Sequence, residues 1–175
     1  MTTAWVLLAN HLIAASNEAV GLLEEFGGKA RCLAGGTDIL VQTRGGRFEL
    51  DAIIDVKKIP ELTKVNWTEN HLVFGSAVPC YVLYEDKKIS SKFPGIIDAA
   101  SLIGGIQIQS RASLGGNLCN ASPSADGICP LIVHNAKCVI TGPKGYREVS
   151  VNEFCVSPGK NLLNEGEFLI SLKIP

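Results

Sequence analysis

Adjacent glycines place the tightest limit on what this chain can fold into. The pairs Gly27-Gly28, Gly35-Gly36, Gly104-Gly105 and Gly115-Gly116 each interrupt a patterned segment. Glycine ends helices and strands, and it allows backbone conformations and close approaches that a Cβ forbids. The chain is therefore cut into short elements joined by tight turns. Ser16 is a candidate N-cap, and Ala19, Val20, Leu22, Leu23 and Phe26 follow at helical spacing. Glu18 suits the first turn, and Gly27-Gly28 stops the helix. Ala30 to Ala34 reads as a short strand running into Gly35-Gly36. Asp38 to Thr43 reads as a shorter helix, and Ala52 to Val56 as another strand. That order suits a small α/β lobe.

The second half reads differently. Lys64 to Trp67 and His71 to Gly75 form a predicted hairpin, and Pro79 to Tyr84 a helix entered through proline. Ile96 to Ile103 is an apolar helix after Phe93-Pro94-Gly95. Ala125 to His134 is a helix with Pro130 inside it, so a kink or break is expected. Cys138 to Thr141 and Tyr146 to Val149 flank a Gly-Pro-Lys-Gly turn as a second hairpin, and Phe168 to Ile174 is a last strand. The change of texture near Lys57 to Pro60 divides the chain into a small α/β lobe, 1–57, and a larger α+β lobe, 58–175.

Composition excludes several classes of function. A net charge of -1 gives no electrostatic reason to bind nucleic acid or an anionic membrane. Aromatics at 6% do not make a stacking platform for single strands. Ala4 to Ala15 is too short to span a bilayer and has no basic flank, so it reads as a leading strand or buried extended segment. The six cysteines are widely spaced with no Cys-x-x-Cys pair. That pattern argues against zinc and predicts reduced, mostly buried thiols in a cytoplasm.

Two segments are candidates for chemistry. The first is Ala34-Gly35-Gly36-Thr37-Asp38, between a strand and a helix. Its glycines let the backbone approach a ligand, and the helix start offers free N–H groups to a phosphate. The alternative is a plain turn capped by Thr37 or Asp38. The pattern is neither a P-loop nor Gly-x-Gly-x-x-Gly. The second is Ser113-Leu114-Gly115-Gly116-Asn117, followed by Ser122-Pro123-Ser124-Ala125-Asp126. Ser113, Asn117, Ser122 and Ser124 are hydroxyl or amide donors for phosphate or ribityl oxygens; a polar surface loop is the alternative. His11, His71 and His134 are isolated, and no acid–base set is visible, which suits a protein whose cofactor carries the chemistry.

Together these segments resemble the FAD-binding medium subunit, or middle domain, of the xanthine dehydrogenase and carbon monoxide dehydrogenase family, the molybdenum hydroxylases. The resemblance runs in order from about Asn17 to Pro175. It takes in Glu18-Ala19-Val20, Leu33 to Asp38, Ile59-Pro60-Glu61-Leu62, Ser113 to Asn117, Ser122 to Asp126, Glu167-Phe168-Leu169-Ile170 and Ile174-Pro175. It implies an α+β, two-lobed FAD-binding fold similar to vanillyl-alcohol-oxidase-like (PCMH-type) flavoproteins. Carried over, a first contact set comprises Arg31, Cys32, Leu33, Ala34, Gly35, Gly36, Thr37, Asp38 and Ile39. A second comprises Ala112, Ser113, Gly116, Asn117, Cys119 and Asp126. Ile103 and Leu169 fall where apolar side chains pack on the flavin. No metal ligand is expected in this chain.

The resemblance further implies a flavin relay. A large molybdenum-cofactor subunit oxidises the substrate, a small subunit with 2Fe–2S clusters passes the electrons on, and FAD delivers them to NAD or another acceptor. Two departures matter. Ile108-Gln109-Ser110 stands where the family often reads Ile-Arg-Asn, with Arg111 as a candidate substitute. The family's C-terminal domain is expected to be absent, since relatives usually continue beyond the position of Pro175. A flavin-free interaction or assembly module of the same fold, and a self-contained flavin oxidase, are the competing readings. Gly36→Val is expected to abolish FAD binding and leave the fold largely intact.

Overall fold

The computed structural model describes residues 7–8 and 13–175. Strand β1 (Leu7–Leu8) pairs in parallel with Ala52 and Ile53. Of the expected leading segment, residues 4–6 and 9–12 lie outside the described residues, and Ile13 is buried. Helix α1 (Ser16–Phe26) buries Ala19, Val20 and Leu23 on one face, as the spacing requires. Its N-cap is Ala15, without a side-chain cap, so Ser16 is the first helical residue and not the cap. Strand β2 (Ala30–Leu33), helix α2 (Ile39–Arg44) and strand β3 (Ala52–Asp55) follow. The three strands form a parallel sheet in the order β1-β3-β2.

A one-turn helix, α3 (Pro60–Thr63), leads into β4 (Val65–Trp67) and β5 (Leu72–Gly75). Three helices come next: α4 (Cys80–Glu85), α5 (Lys87–Lys92) and α6 (Pro94–Leu102). Then come α7 (Ile106–Gln109), α8 (Leu114–Asn120) and α9 (Ile128–Val133). Strands β6 (Lys137–Gly142) and β7 (Gly145–Ser150) make the second hairpin. A short helix α10 (Val151–Phe154), strands β8 (Cys155–Ser157) and β9 (Lys160–Asn161), and the long β10 (Phe168–Ile174) complete the chain. The larger sheet is antiparallel in the order β4-β5-β10-β6-β7, and β8 and β9 pair separately.

Two expectations change here. The segment from Ser113 is not a loop: Ser113 caps α8 by accepting a hydrogen bond from the Gly116 N–H at 3.1 Å. Both glycines thus lie in a helix, and a Cβ at Gly115 would strike the Ser76 backbone, so α8 sits directly on the turn after β5. Pro130 neither kinks nor breaks a helix, because α9 begins at Ile128 and the proline falls in its first turn, where no N–H is needed.

Each sheet has its own core. Ile13, Val20, Leu23, Ile54, Ile59 and Leu62 gather around the parallel sheet. Leu72, Phe74, Leu83, Ile96, Leu118 and Ile140 gather around the antiparallel one. β10 serves both. Phe168 and Ile170 enter the first core, whereas Leu169, Leu172 and Ile174 enter the second. Strict alternation would put Ile170 and Leu172 on the same face. A register shift between Leu169 and Ser171 against β6 inserts one residue and reverses the phase.

Candidate functional site

One cleft of about 680 Å³ is bordered by the end of β2, the loop to α2, the turn at Ser76, α8, the β8–β9 hairpin and the start of β10. That is a size common among small-molecule sites. From the first predicted set it is lined by Arg31, Cys32, Ala34, Gly35, Gly36, Thr37, Asp38 and Ile39. From the second it is lined by Ala112, Ser113, Gly116, Asn117 and Cys119, joined by Ile103 and Leu169. Leu33 and Asp126 are not on the wall, and Asp126 is exposed. Ser122 and Ser124 also lie off the wall, with their hydroxyls 3.1 Å apart.

The first loop is a row of unused donors. Among the described residues, the N–H groups of Gly35, Gly36, Thr37, Asp38 and Ile39 reach no protein acceptor, and the Thr37 hydroxyl has no partner. Asp38 occupies the N-cap position of α2, but its side chain makes no capping bond. The plain-turn alternative placed a cap here, and the capping bond is not made. Half-buried backbone donors without partners are costly unless water or a ligand satisfies them. Consecutive N–H groups in a turn suit a phosphate.

Packing fixes the loop as well. A Cβ on Gly35 would land on the Arg111 carbonyl oxygen, so the loop rests directly on the backbone leading to α8. Gly36 has φ +78°, where side chains are strained, and a Cβ there would lie 3.1 Å from Leu33 and Leu40 methyls. Across the cleft, the Gln42 amide donates to Asn120 Oδ1 at 2.9 Å, tying α2 to α8. Asn117 Oδ1 accepts from the Gly127 N–H at 3.1 Å, which holds the turn before α9. Leu169 is set by Ser76, whose hydroxyl donates to the Leu169 carbonyl at 2.7 Å.

The remaining polar groups sort clearly. Gln109, at the departure noted in the sequence, is buried; its Nε2 donates to the Ser101 carbonyl at 2.7 Å and bonds Gly104 O at 3.3 Å. It braces the α6–α7 turn. Arg111 is exposed and off the cleft wall. All six cysteines are free thiols, but only Cys80 and Cys138 are fully buried, and Cys129 is exposed. Desolvation pushes the Cys32 thiol up to about 12, and desolvation with neighbouring thiols pushes Cys119 up as well. Both thiols on the cleft wall are thus held protonated and are poor nucleophiles. Among the described residues, no cluster of three or more His, Cys, Asp or Glu side chains could hold a metal ion, and no helix is long and apolar enough to cross a membrane.

The sequence reading missed part of the wall. Arg47, Phe48, Gly159, Lys160, Asn161 and Glu165 also line the cleft. They come from the α2–β3 connection and from the region of β8 and β9, where no motif marks them.

Residues 10–175 match the family described as the FAD binding domain in molybdopterin dehydrogenase. The chain belongs to that family. It is 36% identical over 166 residues to the xanthine dehydrogenase FAD-binding subunit of Escherichia coli O157:H7, covering 94% of this chain and 56% of that protein. It is 29% identical over 158 residues to the carbon monoxide dehydrogenase medium chain of Hydrogenophaga pseudoflava, covering 90% of this chain and 55% of that one. Among solved structures, carbon monoxide dehydrogenase from Hydrogenophaga pseudoflava, in a form lacking the Mo-pyranopterin moiety of the molybdenum cofactor, superposes with a TM-score of 0.89 at 28% identity. That match covers 93% of this chain and 56% of the other. The chain thus spans about half the length of these relatives, which are subunits of oxidoreductases. Its fold is the mixed α/β FAD-binding fold of their medium chains, and its cofactor is FAD. The cleft fits that group: amides without protein acceptors line it, Ile103 and Leu169 give apolar surface, and Gly35 and Gly36 leave that part of the loop without side chains.

Proposed function

We propose that this chain is the flavin station of a molybdenum-hydroxylase-type oxidoreductase, receiving electrons from iron–sulfur clusters and passing them to NAD or another acceptor. The observation that carries the reading is the run of N–H groups from Gly35 to Ile39, open to the cleft and without protein acceptors. They would hold the diphosphate of FAD, with the Thr37 hydroxyl as a further donor. Ser113, Gly116 and Asn117 close the cleft from α8, and Ile103 and Leu169 pack on the ring system. Bound FAD supplies the one- and two-electron chemistry. The protein's own part is to bind, orient and partly desolvate it. With Cys32 and Cys119 held protonated and no histidine on the wall among the described residues, the cofactor is held non-covalently.

We further propose a two-lobed fold of the vanillyl-alcohol-oxidase-like (PCMH-type) kind, with lobes 1–57 and 58–175. The support is one core per sheet, with the cleft between them. The partners are a large molybdenum-cofactor subunit and a small 2Fe–2S subunit, in the cytoplasm. The medium-chain and FAD-subunit names of the relatives support this. So does the exposure of Leu102, Ile106 and Ile108 beside Ile103 at the cleft, because grouped exposed apolar side chains mark interaction surfaces.

The test is the visible spectrum of the purified chain, followed by release of its cofactor with heat or acid. A flavin spectrum with intact FAD recovered is expected. The isolated chain should not oxidise a purine or an aldehyde, though it should support slow NADH-dependent reduction of a dye. Recovery of FMN would overturn the cofactor assignment. A colourless protein that ignores added FAD would support the flavin-free assembly module instead. Robust turnover of a purine or aldehyde by this chain alone would sink the relay.

A further inference from the structure

The cleft gathers positive charge that an amide cradle does not require. Arg47 lies just beyond α2, where its N–H donates to the Gln42 carbonyl at 2.9 Å. Lys160 begins β9 on the opposite wall. The backbone around Lys160 is pinned to the end of α8: the Gly159 N–H donates to Ala121 O at 2.8 Å, and Asn161 Nδ2 donates to Cys119 O at 2.7 Å. Arg47 reaches across to Gly159, the residue before Lys160. A Cβ built there would lie 2.7 Å from Arg47 Nη2, so the guanidinium occupies the space a side chain at 159 would take. Arg47 also lies over the Phe48 ring, 5.5 Å from its centroid, and Arg31 stands over the same ring at 5.2 Å.

These charges are not neutralised by the protein. Arg31 spends part of its guanidinium on the carbonyls of Ala30, at 2.9 Å, and Gly28. Among the described residues, Arg47 and Lys160 have neither a carboxylate within ion-pair distance nor a hydrogen-bond acceptor. The acids on the wall are Asp38, Glu165 and Glu167. Glu167 is bound on both oxygens by Arg147, and Asp38 and Glu165 form no ion pair. Like charges held together in a cleft repel unless an anion lies between them, and low-dielectric walls strengthen that field. A planar guanidinium and an ammonium lining one cleft are a donor set for phosphate oxygens.

We propose that Arg47 and Lys160 form a second anion-binding element, one residue from each wall, that holds the ADP half of the dinucleotide. This rests on the reading of the cleft as the FAD site. The Gly35–Ile39 amides hold the diphosphate, and Arg47 and Lys160 add positive charge to the same cleft. The ligand thereby bridges the two walls, and affinity becomes sensitive to ionic strength.

The test uses the whole chain, stripped of cofactor and titrated with FAD by fluorescence at two salt concentrations, with ADP as competitor. Arg47→Gln/Lys160→Gln should weaken FAD binding by about ten- to a hundred-fold, the range for lost hydrogen bonds to a charged group. It should also weaken ADP competition and flatten the salt dependence. Arg47→Lys/Lys160→Arg should keep the salt dependence, since both charges remain, and lose clearly less FAD affinity than the neutral variant, the part it does lose being the stack of Arg47 on Phe48. Unchanged FAD affinity and salt dependence in the neutral double variant would overturn the proposal. So would an equal loss in the charge-conserving variant, which would mark a packing role. Failure of the unsubstituted chain to bind FAD would instead overturn the reading of the cleft itself.

Discussion

A methyl group added at Gly116 meets only the Ser113 hydroxyl oxygen, at 3.1 Å, and the residue lies in a helix. Alanine is favoured over glycine there by up to about 1 kcal/mol of helix propensity, offset by a small shift of that hydroxyl. Gly116→Ala should therefore leave the thermal midpoint unchanged or slightly raised. It should nevertheless lower FAD affinity, because the methyl projects at the cleft wall. Equal affinity in the variant would remove Gly116 from the site. Gly36→Val cannot serve this purpose, contrary to the sequence expectation. At φ +78°, beside Leu33 and Leu40, a β-branched residue strains the loop whether or not a ligand is bound. Glu167 provides a test by titration. Two hydrogen bonds from Arg147, helped by the Asn164 N–H, hold its carboxyl at about 2, against a usual 4.5. The folded state therefore favours the ionised form. The stability this confers is fully present above about 4.5 and is lost as pH falls toward 2. The thermal midpoint should fall through that window more steeply for the natural chain than for Glu167→Gln, and parallel curves would contradict the assignment.

Short helices account for most differences between expectation and fold. α3, α5, α7 and α10 have six residues or fewer, too few for hydrophobic periodicity to register. α5 still left a local signal. Asp86 Oδ1 accepts from the Lys88 N–H at 2.8 Å and the Ile89 N–H at 3.1 Å, a full N-cap. Asp86→Ala should cost about 1 kcal/mol in chemical denaturation. Because α5 does not border the cleft, FAD affinity should stay the same. A loss of affinity would show that the second core transmits strain to the site. β10 shows a different limit. Its apolar run was readable as a strand, but the inserted residue that sends Ile170 and Leu172 into different cores depends on pairing with β6.

At the scale of the molecule, the two walls meet through close contacts: Gly35 on the Arg111 backbone, Gln42 with Asn120, and Arg47 over Gly159. A ligand that fills the cleft stabilises both walls at once. FAD at about a hundred times its dissociation constant should add about 2.7 kcal/mol. For a chain of this size that raises the midpoint by about 5–10 °C. The transition should remain single, because β10 belongs to both cores. Two separate transitions, with only one shifted by FAD, would show that the lobes unfold independently.

Local chemistry was legible in the sequence. The Gly-Gly-Thr-Asp segment could be read as a phosphate-binding loop because glycine conformations and helix-start amides depend on near neighbours in the chain. Most helix and strand types could be read for the same reason. Which donors are left free was decided by the bonds the folded chain makes. Ser113 caps its own helix, Asn117 holds Gly127, Ser122 and Ser124 pair off the cleft wall, and Asp126 is exposed off that wall. The convergence of Arg47 and Lys160 was invisible for the same reason. More than a hundred residues separate them, and only the packing of the β8–β9 hairpin against α8 brings them to the same cleft. Sequence fixes what each residue can donate or accept, and tertiary packing decides which of those groups remain unpaired and able to bind a ligand.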